Sequence, residues 1–142
     1  MDWTIEFDKA IEQYLPDLEV LQDEPMSRHT TFRIGGPAKR MAFPSSREQL
    51  VLLMSFAKNY GANPLVIGNG SNLLVPDEGL DRLVIDTSAN LNRVERGSEN
   101  TVLADAGATL ARTADLACKS GLTGLEFAHG IPGTVGGGVC MN

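Results

Sequence analysis

Five residues, Gly68-Asn69-Gly70-Ser71-Asn72, come directly after the apolar run Pro64-Leu65-Val66-Ile67. A strand that empties into glycines and small polar residues leaves main-chain amides exposed and φ/ψ unrestricted, which is the make-up of an anion-binding concavity suited to phosphate. The same residues also suit a plain Gly/Asn turn between two strands. The residues on the carboxyl side of the loop exclude two familiar phosphate-binding designs. Leu73 stands where a Rossmann fingerprint needs its third glycine, and Leu73-Leu74-Val75-Pro76 does not start an amphipathic helix. No lysine with Ser or Thr after it closes a glycine loop, so a P-loop is excluded too. A phosphate here must be held by the loop's own amides and by the Ser71 and Asn72 side chains, without the dipole of a helix behind them.

A second segment has comparable chemistry. Seven of the 15 glycines, Gly121, Gly124, Gly130, Gly133, Gly136, Gly137 and Gly138, fall after residue 120. So many residues without a Cβ weaken regular structure, and the return is close approach of backbone to backbone or to a ligand. In Gly130-Ile131-Pro132-Gly133-Thr134 the proline sits where a first helical turn accepts it, so the segment is expected to open a short helix whose free amides face a ligand. A glycine-rich turn packed on a sheet is the alternative. The other chemical groups are sparse. His29 and His129 are isolated imidazoles, and Glu126 and Asp105 are carboxylates with no partner for general acid/base work. Arg28, Arg33, Lys39 and Arg40 form either a cation source for an anionic ligand or a solvated strand face. Cys118 and Cys140 have no CxxC spacing and no neighbouring histidine, so neither a metal site nor a disulfide is expected, and both are read as buried small apolar residues.

The elements that must position these loops are legible in outline. Ile11, Tyr14, Leu15 and Leu18 have helical spacing that Pro16 must interrupt, which predicts a short helix before it. Residues 20–26 read as strand or turn, 30–34 as β-rich, and 39–43 as another short strand ahead of the clearest helix, 46–60. There Leu50, Leu53, Met54 and Ala57 form one stripe, Ser45 and Glu48 form a capping box, and Gly61 is the stop. A buried strand is expected at 64–67 and a further strand at 82–86. From Asn90 the pattern turns antiparallel, with strands at 91–96 and 101–106 about Gly97-Ser98-Glu99-Asn100. A helix capped by Thr109 and stopped by Gly121 puts Leu110, Ala114 and Ala117 on one face. The chain thus switches from β-α-β to antiparallel β near Ser88.

Bulk properties restrict the function. With 12 basic and 18 acidic residues the net charge is -6, which repels polyanions and argues against nucleic acid. The composition, 42% hydrophobic and 21% charged, is that of a soluble globular protein, and no apolar run is long enough to span a membrane. Met1-Asp2-Trp3-Thr4-Ile5-Glu6 lacks the basic and then apolar character of a signal peptide, so a cytoplasmic location is expected.

With both loops in view, the sequence resembles the UDP-N-acetylenolpyruvoylglucosamine reductase family over residues 24–142. The likeness rests on His29-Thr30-Thr31-Phe32-Arg33-Ile34-Gly35-Gly36-Pro37-Ala38, Gly68-Asn69-Gly70-Ser71-Asn72-Leu73-Leu74-Val75, Ala106-Gly107-Ala108, and the stretch from Gly124-Leu125-Glu126-Phe127 to Met141-Asn142. It implies an α+β, FAD-binding fold of the vanillyl-alcohol-oxidase type in two lobes. Residues 1–87 would form the first, β-α-β lobe and residues 88–142 the start of an incomplete second lobe, with the substrate-binding domain absent. By this likeness Gly68, Asn69, Gly70, Ser71, Asn72 and Leu73 surround the FAD pyrophosphate. Gly130, Ile131, Pro132, Gly133 and Thr134, with Gly136 and Gly137, run beside the flavin, and Gly107 lines the same cleft. In this family NADPH reduces the flavin, which passes hydride to the enolpyruvyl double bond of a UDP-sugar in peptidoglycan precursor synthesis. The residues for protonation lie past Asn142 in the family pattern, so no catalytic residue and no turnover is expected of this chain alone. The competing readings are another flavin oxidoreductase of the same fold and a non-catalytic nucleotide-binding module.

Overall fold

The computed structural model describes residues 2–141; Met1 and Asn142 lie outside them. The helix expected before Pro16 is α1 (Thr4–Tyr14), whose first turn is held by Asp2 Oδ1 accepting from the Thr4 amide and hydroxyl at 3.1 and 2.9 Å. β1 (Glu19–Pro25) and β2 (Pro37–Phe43) pair antiparallel and are joined by an irregular strap, residues 26–36. α2 (Arg47–Tyr60) then crosses to β3 (Leu65–Ile67), and β4 (Leu80–Asp86) returns to lie between β3 and β2, parallel to both. The sheet order is β1-β2-β4-β3.

Alternation along β4 shows how the sheet makes two cores. Leu83 and Ile85 face α1 and α2, where they meet Phe7, Ile11, Leu15, Leu53 and Ala57. Val84 faces the other side with Met26, Met41, Ile67 and Val75, a core closed by the strap and by the loop after β3. In β2 a register shift between Ala38 and Arg40 places Ala38 and Met41 on this second face. Arg40 turns to the helical face, where Asp8 of α1 accepts from Nε at 2.9 Å and from the terminal nitrogen at 2.6 Å. These hydrogen bonds raise the pKa of Arg40 while burial opposes them.

α2 is capped as its sequence requires, one residue later than expected. Ser46 Oγ accepts from the Gln49 amide at 3.1 Å, and Gln49 Oε1 reaches back to the Ser45 amide at 2.8 Å, so Glu48 takes no part in the box. Gly61 ends the helix at φ +72°. The strand expected at 30–34 does not form: both neighbours of β2 are already taken, and Thr-Thr-Phe-Arg-Ile lies in a turn with Arg33 at φ +55°. β3 differs as well. It is an edge strand of three residues, so Val66 is 49% exposed where a buried strand was expected.

Beyond Thr87 the antiparallel switch appears as a short hairpin, β5 (Val94–Arg96) with β6 (Val102–Ala104). α3 (Leu110–Lys119) packs on it, its N-cap Thr109 accepting from the Arg112 amide at 3.2 Å, and Gly121 stands just past its end at φ +71°. Only Ala114 and Ala117 of α3 are buried, and this narrow stripe leaves Cys118 exposed against expectation. α4 (Val135–Met141) closes the described chain with no buried residue, so Cys140 is exposed too. No helix among the described residues is long and apolar enough to cross a membrane.

Candidate functional site

β3 and β4 run parallel with Ile67 opposite Asp86, so both strands release the chain at the same end of the sheet. Residue 68 begins one loop there and residue 87 the crossing to the hairpin. Thr87 ties them together: its amide and hydroxyl both donate to the Ile67 carbonyl, at 3.0 and 2.9 Å. Ligands of open α/β sheets bind in the crevice beyond the carboxyl ends of such strands.

A cleft of about 590 Å³ opens at that point. Its size and its mixture of apolar wall with a few polar groups fit a small-molecule or cofactor site. The loop 68–73 forms one side and residues 131–138 the other. They touch across the cleft floor, where Ser71 Oγ donates to the Pro132 carbonyl at 3.0 Å. Gly68 lies so close to Thr134 that a Cβ on it would overlap the threonine side chain. Thr134 is itself locked, 2% exposed, and its hydroxyl accepts from the Gly137 amide at 3.3 Å. The Val135 and Gly136 amides donate to the carbonyls of Ala108 and Ala106, both at 2.8 Å, which fixes α4 against the end of β6.

Among the described residues, the amides of Asn69, Gly70, Ser71 and Asn72 donate to no protein acceptor, while the Gly70 carbonyl accepts from the Thr31 amide at 3.1 Å. Gly70 stands at φ +67°, with its Cα face against the His29 carbonyl, where no Cβ fits. A run of free donors about a left-handed residue is the concavity that binds phosphate oxygens. Of the two readings of this loop, the free amides favour the cradle over the plain turn.

Of the residues singled out from sequence, Gly68, Asn69, Gly70, Ser71, Asn72, Leu73, Ile131, Pro132, Gly133, Thr134, Gly136 and Gly137 all line this one cleft. Gly107 and Gly130 do not. Gly107 is buried behind it, packed on the carbonyls of Thr87 and Leu91, and Gly130 lies outside the lining. The short helix begins at Val135, three residues after Pro132, so the proline belongs to the loop and not to a first helical turn. Sequence reasoning missed Val66, Thr87, Ala106, Leu110, Cys140 and Met141 as lining. The position of Val66 and Thr87 at the ends of parallel strands was the available signal, and it needs the strand order to be read.

The other candidates serve structure. Lys39 Nζ pairs with Asp81 at 3.1 Å and Asp2 at 3.3 Å, Arg40 with Asp8, and Arg28 with Glu24 at 3.7 Å, so these cations do not converge on the cleft. Asp81 and Asp2 are held below the ordinary carboxylate range, Asp81 chiefly by its hydrogen bond from Lys39 and Asp2 chiefly by the Thr4 amide. Asp105 accepts from the Arg93 amide at 2.9 Å within the hairpin, Glu126 from the Gly124 amide at 2.8 Å, and His129 meets Asp115 at 3.2 Å on the surface. Among the described residues no group of three His, Cys, Asp or Glu is placed to hold a metal ion.

Comparison with known proteins places the chain among FAD-binding domains. Residues 38–142 match the model of a family described as FAD binding domain. The chain is 50% identical over 125 residues to a UDP-N-acetylenolpyruvoylglucosamine reductase of Moorella thermoacetica, covering 88% of the chain and 41% of the relative. A reductase of the same name from Agathobacter rectalis is 46% identical over 147 residues, covering 96% and 46%. The chain therefore spans less than half the length of the curated relatives it matches. Among solved structures, the flavoenzyme CrmK of caerulomycin biosynthesis superposes with a TM-score of 0.58 at 19% identity, over 72% of this chain and 22% of that one. Cholesterol oxidase from B. sterolicum does so at 0.56 and 16%, over 74% and 21%. At such identities the likeness is one of fold.

Proposed function

Because the chain belongs to the family of FAD-binding domains and has the α+β fold of vanillyl-alcohol-oxidase-type flavoenzymes, we propose that it supplies the cofactor-holding part of a UDP-N-acetylenolpyruvoylglucosamine reductase. The observation that carries the cofactor half is the meeting of two glycine loops across one cleft, with four free amides on one side and closely approaching backbone on the other. Relatives of that name at 50% and 46% identity support the enzyme half.

In this reading residues 1–87 and 88–142 are two lobes that meet at the cleft. The amides of Asn69, Gly70, Ser71 and Asn72 face the two phosphates of FAD, a role the chain must give to local donors because its net charge is -6. Gly68 and Leu73 bound that cradle. Ile131, Pro132, Gly133 and Thr134, with Gly136 and Gly137, present backbone to the flavin, and Val66, Leu110 and Met141 keep water from it. Gly107 acts from behind, by letting the Thr87 crossing pack tightly. When bound, FAD would supply the hydride-transfer chemistry between NADPH and the enolpyruvyl group of the UDP-sugar, while the protein contributes placement. No group of this chain is assigned as the proton donor. The setting is that of a cytoplasmic enzyme of cell-wall precursor synthesis.

Titrating the purified chain with FAD and, in parallel, NAD tests the cofactor half. Quenching of flavin fluorescence and a thermal midpoint that rises with FAD but not with NAD are expected, since a ligand that binds only the folded state stabilises it. No change in either signal overturns it. For the enzyme half, the chain is fused to the remainder of the Moorella relative and NADPH oxidation is monitored with the enolpyruvyl UDP-sugar. A fusion that holds FAD yet shows no dependence on that sugar rejects the reductase and leaves FAD binding standing.

A further inference from the structure

The strap, residues 26–36, is closed at its base by the Met26 amide on the Gly36 carbonyl at 3.1 Å and the Ser27 amide on the Gly35 carbonyl at 3.3 Å. Its tip is applied to the back of the 68–72 loop. The Thr31 amide donates to the Gly70 carbonyl, and the missing Cβ of Gly70 is where the His29 carbonyl and Thr30 Cα sit. One side chain at that tip is anchored to the sheet. His29 Nε2 donates to Glu24 Oε1 at 2.9 Å, with the two side chains only 19% and 12% exposed, and the imidazole lies 5.9 Å from the ring of Phe43. Arg28 adds a cation to the same carboxylate oxygen, at 3.7 Å, from an exposed position.

We infer that His29 and Glu24 are positioning residues for the cofactor: their hydrogen bond seats the strap tip against Gly70 and thereby fixes the spacing of the free amides at 69–72. The inference rests on the reading that this loop holds the FAD phosphates. Neither residue lines the cleft, so each acts through the loop. A hydrogen bond to an ionised carboxylate in a half-buried site is stronger than a neutral one.

FAD affinity of the whole chain, by fluorescence titration, is measured for His29→Ala, His29→Gln, Glu24→Ala and the double alanine variant, with hydrogen exchange of the Thr31 amide in the unliganded proteins. His29→Ala is expected to weaken FAD about ten-fold, a factor equal to ~1.4 kcal/mol, and to expose the Thr31 amide while the α3 amides keep their protection. Gln sets a donor where Nε2 stands, so His29→Gln recovers most of the affinity. The double variant loses no more than the larger single loss, because the pair acts as one unit. Affinity unchanged in His29→Ala, additive losses, or loss without recovery in His29→Gln each overturn the inference. If His29→Ala does not fold, His29→Gln against Glu24→Ala decides, the first expected near wild type and the second weakened. Failure of the wild-type chain to bind FAD overturns the underlying reading instead, so the two failures are told apart.

Discussion

In the four-stranded sheet and its two helices the tight contacts run between side chains: Phe7, Met26, Met41, Leu53, Leu83 and Ile85 are all fully buried. In residues 88–141 the buried side chains are small, and packing is by short side chains and backbone. There the fully packed positions are Ala108, Ala114, Ala117, Ala128 and Thr134, with Gly107 and Gly136 pressed against main-chain atoms of Thr87, Leu91 and Ala106. The first region gains stability from buried apolar area; the second has little side-chain area to bury and gives its surface to the cleft. A cofactor site formed between such regions takes rigidity from one and close approach from the other. The cleft runs along their boundary because the boundary lies at the carboxyl ends of β3 and β4.

The contrast can be broken most forcefully on its side-chain half. Phe7→Ala removes a ring that is 0% exposed, and a loss of about 3–5 kcal/mol in denaturant unfolding is expected. A loss below about 1 kcal/mol would mean the first core is not close-packed as described. Gly68→Ala tests the boundary itself, because the added methyl overlaps the Thr134 side chain. Overpacking of this kind costs about 1–3 kcal/mol, and FAD titration should lose more than the thermal midpoint does; equal affinity with wild type would place the cofactor elsewhere. On the second region, Thr109→Ala deletes the cap of α3 and is expected to cost ~1 kcal/mol by denaturant unfolding, sharpening the contrast since this helix has so little burial to fall back on.

The smallest effect is electrostatic and belongs to the surface of the first region. The pKa values of Asp2 and Asp81 are depressed in the folded chain, so their contribution is present above the unfolded carboxylate range and is lost as pH falls through the lower folded values. That of Lys39 is raised, chiefly by its hydrogen bond to Asp81, so its contribution is present below the unfolded lysine value and is lost as pH rises through the folded one. Lys39→Met is expected to flatten both ends of a stability profile against pH, by a small amount because all three groups face solvent.

How much of the fold and the cleft was legible in the sequence depends on range. The 46–60 helix and its Gly61 stop, the hairpin and the Thr109 cap were readable because each is decided by residues within a few positions of one another. Thr30 to Ile34 misled because β-propensity describes a fit to a pleated neighbour, and no neighbour is free there. The exposure of Val66 depends on β3 lying at the sheet edge, which is set by β4 inserting beside β2 from far along the chain. Both glycine loops could be marked for what glycine permits, yet nothing local distinguishes Gly133, on the cleft, from Gly107, behind it. The His29 anchor was equally hidden, since its partner Glu24 gains meaning only when the strap folds back.

Cys140 stands on the wall of the cleft while Cys118 stands outside its lining, and both residues are exposed. The chain therefore carries an unplanned pair of chemical clocks. Alkylation at Cys140 is slowed by whatever fills the cleft, alkylation at Cys118 runs on regardless, and the ratio of the two rates reads occupancy without any need for the occupant to be coloured.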